Sequence, residues 1–112
     1  DSNCVQLPTT LPTLDEIIGS DGIDSSNCWE TILDKSRQEL PRGHVYTLHA
    51  ELEGMKLMPA MEKLLEAWKT SGFELVTLQQ LYASLDLSTL PKQEIIQGEV
   101  DGRTGLLAVQ AA

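Results

Sequence analysis

The 112-residue sequence has no unbroken apolar run near the roughly 20 residues that a bilayer-crossing helix needs, which argues against a helical span within it. Its first residues carry neither the basic region nor the apolar core of a secretory signal peptide. No initiator Met is present and the chain opens on Asp1 in a polar stretch, as expected of a fragment, a processed product or a chain freed from a tag. Cys4 and Cys28 are the only cysteines and stand outside any C-x-x-C spacing, too few for a disulfide-dense secreted scaffold. One bridge between them is open to the sequence, but two reduced thiols in a reducing compartment are the expectation. Basic side chains are scarce too, eight Lys and Arg against seventeen Asp and Glu. The resulting formal net charge of -9 repels phosphate backbones, so nucleic acid is not an expected partner. No G-x-S-x-G elbow, P-loop spacing, H-x-x-x-H or H-E-x-x-H is found, and there is no internal repeat or low-complexity segment.

What is there is ordinary for one globular unit: 41% hydrophobic and 22% charged residues, enough to bury a core and too short a chain for two domains. The acidity is uneven, with ten acids and three bases in residues 1–54 and seven and five in 55–112. Cys4–Leu7 alternates and is stopped by Pro8 and Pro12, a strand leading into a loop. One helical turn is expected at Leu14–Ile18. Asn27 with Glu30 resembles a capping box, and Trp29, Ile32, Leu33, Ser36 and Leu40 follow on one helical face until Pro41-Arg42-Gly43. His44–Ala50 alternates and is rich in β-formers, predicting a buried strand, and residues 51–58 read as a loop. Pro59 suits a first helical turn, Met61, Leu64, Leu65 and Trp68 form a helical stripe, and Gly72 can take the left-handed cap. Phe73–Val76 reads as a short strand, and Thr77 with Gln80 as a capping box ahead of the stripe Leu78, Leu81, Tyr82 and Leu85. Glu94–Val100 and Arg103–Gln110 flank Asp101-Gly102, a dipeptide suited to a type I′ hairpin turn. The order β-α-β-α-β-α-hairpin predicts an α/β fold with a parallel sheet. Three such strands are too few to close a barrel, which again points to part of something larger.

The one dense polar cluster is His49-Ala50-Glu51-Leu52-Glu53-Gly54, where a predicted strand runs out into a loop. In parallel α/β folds such strand ends are where sites assemble. A histidine there can donate a proton near neutral pH, with Glu51 or Glu53 orienting the imidazole or holding a cationic amine. The plainer alternative is a strand-end histidine beside solvated glutamates. His44 and His49, five apart in a strand, point to opposite faces and cannot share a metal. Asp15-Glu16 reads as an isolated acidic pair, so no complete metal site is expected within these residues. Met61 belongs to a core stripe, whereas Met55 and Met58 in the loop could fill gaps or line a groove for a lipid chain.

Three strings, VQLPTTLPTLDEIIG (5–19), VYTLHAELEG (45–54) and QGEVDGRTGLLAVQ (97–110), resemble, in this order, the C-terminal part of bacterial undecaprenyl-phosphate 4-deoxy-4-formamido-L-arabinose deformylases, a branch of the polysaccharide deacetylase (NodB-like) family. The resemblance implies the C-terminal portion of a distorted (β/α) barrel ending in a β-hairpin, residues 1–112 being part of a single domain. It implies a divalent, zinc-like metal held by an Asp and two His of an N-terminal half, together with a general-base Asp; neither has a counterpart in this chain. It further implies removal of formate from a formamido-arabinose on an undecaprenyl phosphate lipid at the cytoplasmic face of the bacterial inner membrane, with the enzyme peripheral to that surface. On the same resemblance, the product would modify lipid A and blunt polymyxin. Leu48-His49 matches the family's late Leu-His motif and casts His49 as the general acid, with Glu51 and Glu53 as substrate contacts. By itself the chain would then carry an acid without an activated water, and no hydrolysis is expected of it. The alternative from another class is a non-catalytic acidic α/β protein-interaction module.

Overall fold

The structure, a computed structural model, describes residues 4–110. Helix α1 (Leu14–Ile17) is a single turn, followed by α2 (Cys28–Ser36), a π turn over Leu52–Lys56, α3 (Met58–Thr70), α4 (Leu78–Ala83) and a 3-10 turn over Leu87–Thr89. Strands β1 (Ile95–Gly98) and β2 (Leu107–Gln110) close the order and pair antiparallel, with Ile95 opposite Gln110 and Gly98 opposite Leu107.

The core is helical. Leu14 and Ile17 of α1, Cys28, Ile32 and Leu33 of α2, and Ala60, Met61, Leu64 and Trp68 of α3 are buried together with Leu11 and Leu57. The α2 and α3 stripes expected from the spacing meet here, except that Leu65 stays exposed and Trp29 and Leu40 are half-buried. Ser36 joins the two helices: its hydroxyl donates to Ile32 O at 2.6 Å and accepts from the Trp68 indole at 2.9 Å. Tyr46 packs edge-on against Trp68 with ring centroids 5.8 Å apart.

The caps follow local chemistry. Gly72 has φ +86, and the Gly72 and Phe73 N–H groups donate to Lys69 O and Trp68 O, a Schellman end to α3. Thr77 and Gln80 form the reciprocal capping box ahead of α4. At α2 the expected box is absent: Asn27 accepts from the Asp24 N–H and donates to Gly22 O, so it shapes the preceding turn instead. α2 also stops at Ser36, short of Leu40, the residue whose helical backbone Pro41 disfavours.

The parallel sheet is the main correction. Cys4–Leu7, His44–Ala50 and Phe73–Val76 form no ladder, and β1–β2 is the sheet among the described residues. Strand propensity is realised only beside a partner, and bonds of the second and third segments go elsewhere. Pro8 and Pro12 bring no N–H donor. Val45 bonds to Thr10, its N–H reaching the Thr10 hydroxyl, while the Phe73 N–H is consumed by the α3 cap. A barrel is therefore not visible here; the chain is a small α/β unit with a two-stranded antiparallel sheet. The hairpin turn also differs from type I′, since Gly102 has a positive φ and Asp101 does not. The α4 stripe is largely uncovered, with Leu78 and Tyr82 exposed. Cys28 is buried, Cys4 is exposed and no disulfide joins them. Among the described residues no helix is long and apolar enough to cross a membrane.

Candidate active site

His49 ends the segment that leads into the π turn. Leu52 and Glu53 both donate their N–H to His49 O, at 3.0 and 2.9 Å, and the π turn itself is closed by the Leu57 N–H on Leu52 O at 2.7 Å. Glu53 then folds back, and its Oε2 accepts the His49 N–H at 2.8 Å while Oε1 accepts from the Tyr46 hydroxyl at 3.1 Å. Glu53 is 3% exposed, so this carboxylate braces the loop from inside. Burial, with the Glu53 carboxylate beside it, pushes the Tyr46 phenol far above its ordinary range, and it remains a donor at any working pH.

α1 brings the second part. Its opening turn is fixed by the Thr13 N–H donating to Glu16 Oε1 at 2.8 Å and by the Thr13 hydroxyl donating to Asp15 Oδ1 at 2.6 Å. Asp15 Oδ1 then lies 3.9 Å from His49 Nδ1. That nitrogen is buried and, among the described residues, makes no hydrogen bond. An approach of about 1 Å would turn this contact into a hydrogen bond. The pair is an acid–base arrangement: a carboxylate facing Nδ1 leaves Nε2 for proton exchange.

Arg103, from the hairpin, closes the cluster. Its Nε donates to Glu16 Oε2 at 3.0 Å and its Nη2 stands 3.6 Å from Asp15 Oδ2. Partial burial works to raise the Glu16 carboxyl, but the Thr13 N–H and the Arg103 guanidinium outweigh it and hold that carboxyl below its usual value.

Asp15, His49 and Glu53 each offer a metal-ligand atom, and these lie within 4.8 Å of one another, a grouping that the sequence did not lead one to expect. The three already have other contacts, apart from His49 Nδ1, which is buried without a hydrogen-bond partner among the described residues. Both Glu53 oxygens already accept hydrogen bonds in a buried setting, and Asp15 already faces a guanidinium. His44 lies outside the group, bonded to the Thr10 hydroxyl and to Gln38 O.

Of the residues expected from sequence, His49 is in the cluster, Glu53 lies beneath it and Glu51 is exposed in the adjoining turn. Met55 and Met58 are exposed and Met61 is in the core. Asp15, Tyr46 and Arg103 were missed. Tyr46 stands three residues before His49 and was legible as part of the same string. Asp15 and Arg103 arrive from 34 residues before His49 and 54 after it, and no local pattern links them.

No protein-family model matches the chain. Over 96% of its length it is 40% identical to a protein of Shewanella sediminis (strain HAW-EB3) named as a probable 4-deoxy-4-formamido-L-arabinose-phosphoundecaprenol deformylase ArnD, of which it covers 34%. A protein of the same name from Wigglesworthia glossinidia brevipalpis is 33% identical over 95% of the chain, with 36% of that protein covered. The chain spans about a third of the length of the curated relatives it matches. Over nearly its whole length, then, this chain is related in sequence to a one-third stretch of proteins named as 4-deoxy-4-formamido-L-arabinose-phosphoundecaprenol deformylases.

Proposed function

We propose that residues 1–112 are the C-terminal portion of one polysaccharide-deacetylase-like domain and supply the general acid of a deformylase. The observation that carries this reading is His49, set against Asp15 on a loop braced by Glu53, within a stretch shared with proteins of that name. In amide hydrolysis the amine leaves only once it is protonated, and a partly exposed imidazole backed by a carboxylate is suited to that transfer. His49 is the acid, Asp15 its partner and Glu51 a substrate contact. Glu53, first expected to touch substrate, acts by holding the His49 backbone in place.

The substrate is 4-formamido-arabinose carried on undecaprenyl phosphate, and the product is formate with the free amino sugar destined for lipid A, which blunts polymyxin. The divalent metal implied by the family resemblance belongs to an N-terminal half outside these residues, and the chain alone does not turn over. The full protein works peripherally at the cytoplasmic face of the inner membrane. Exposed apolar side chains support a unit that belongs to a larger domain: Leu75, Val76 and Leu78 near α4, and Ile95, Ile96 and Leu106 in the hairpin.

The test is formate release by the full-length protein carrying this chain. His49→Ala loses at least about a hundredfold in kcat, as removal of a general acid does, while its metal content is unchanged. Near-normal turnover would refute the role of His49. A non-catalytic module would instead show no formate release from the unmutated full-length protein.

A further inference from the structure

The hairpin meets the helices at its tip. Gly102 sits so close to Glu16 that a Cβ would collide with the Glu16 carbonyl oxygen, and its φ of +84 admits few other residues. Arg103 follows at once. Its Nε bonds to Glu16 Oε2, and its Nη2 lies 3.6 Å from Asp15 Oδ2 and 3.5 Å from the Thr13 hydroxyl. Neither strand packs extensively on a helix, and Ile95, Ile96, Leu106 and Leu107 stay exposed, so apolar burial does not hold the hairpin down. What holds it is a guanidinium spread over the acid pair beside His49.

Asp15 is thus shared. One oxygen faces Arg103 and the other faces His49 Nδ1. The remaining ionisable groups around the pair are Glu16 from α1, already bonded to Arg103, and Tyr46 and Glu53, bonded to each other on the loop side. We propose that Arg103 is a positioning residue for the Asp15–His49 pair. The Thr13 hydroxyl fixes Asp15 Oδ1 at 2.6 Å, and the guanidinium 3.6 Å from Oδ2 attracts the other oxygen, so the carboxylate is oriented from both sides with Oδ1 directed at the imidazole. A forked side chain suits this task because it spans two neighbouring carboxylates, which a lysine ammonium cannot do in the same geometry. The inference rests on the reading of His49 as general acid.

The experiment is a double-mutant cycle read at His49. Ring 15N resonances of the two histidines are recorded at one fixed pH in the unmutated protein, Arg103→Gln, Arg103→Lys, Asp15→Asn and the Arg103→Gln/Asp15→Asn double variant. Arg103→Gln moves the His49 resonances and leaves those of His44, and Arg103→Lys restores them only in part. In the Asp15→Asn background Arg103→Gln adds no further movement, because Arg103 acts through Asp15. Unmoved His49 resonances overturn the proposal, as does an equal movement in both backgrounds, which would mean a general loosening through Thr13 and Glu16. Asp15→Ala gives the same cycle should the Asn variant fail to fold. In the formate assay Arg103→Gln lowers kcat by about ten- to a hundredfold, the size of a misplaced catalytic group, with KM little changed. Absence of formate release by the unmutated full-length protein would overturn the deformylase reading alone, and the resonance cycle would still decide the role of Arg103.

Discussion

Replacing Glu53 tests whether a buried carboxylate shapes the His49 loop. Its two oxygens accept the His49 N–H and the Tyr46 hydroxyl, and the residue is 3% exposed. Glu53→Leu leaves both donors without their partner in a part-buried site. At about 1–3 kcal/mol for each orphaned donor the gross cost is roughly 2–6 kcal/mol. Removing a buried charge offsets part of this, so the expected net loss is about 2–4 kcal/mol. For a chain of this size about 1 kcal/mol lowers Tm by roughly 4 °C, giving a fall of about 8–16 °C. Glu53→Gln keeps one acceptor oxygen, and the Tyr46 hydroxyl can turn to accept from the new amide, so its loss is about 1 kcal/mol. The assay is thermal unfolding followed by far-ultraviolet circular dichroism. A Glu53→Leu variant melting within about 2 °C of the unmutated protein would refute the bracing role.

Two further outcomes follow from the same geometry. Ser36→Ala leaves the buried Trp68 indole N–H unpaired and costs about 1–3 kcal/mol, visible as a lower Tm and a shifted Trp emission. An unchanged Tm would mean that another acceptor is within reach. The hairpin contact is acid-labile: the folded Glu16 carboxyl lies below its ordinary value of 4.5, so the docked form binds fewer protons than the released one. Docking is therefore fully favoured above that value and lost as pH falls through the lower folded value. Gly102→Ala does the same at neutral pH by collision with Glu16. Nuclear magnetic resonance of residues 99–106 detects both, and a hairpin tip unaffected by either change would refute the contact.

The helices were legible because their signals are local. An i, i+3, i+4 apolar stripe fixes which side of α3 is buried, and Gly72 and the Thr77–Gln80 pair mark ends through groups only a few residues apart. The α4 stripe was equally legible, yet its burial was not, because Leu78 and Tyr82 find no cover among the described residues. Strands fared worse for a related reason. Alternation in 44–50 states a preference for pairing, but a ladder needs a neighbour, and this segment finds Thr10 instead.

The candidate site divides along the same line. Sequence alone singled out His49 and its glutamates, because a proton donor at the end of a β-rich run before a loop is a local pattern. It could not distinguish Glu51 from Glu53, since burial decides that, and burial depends on a turn folding back on His49 O. Nor could it turn Asp15-Glu16 from an isolated acidic pair into the partner of His49 and the anchor of Arg103. Those contacts join residues 34 and 87 positions apart, and only the packing of α1 between the His49 loop and the hairpin brings them within reach.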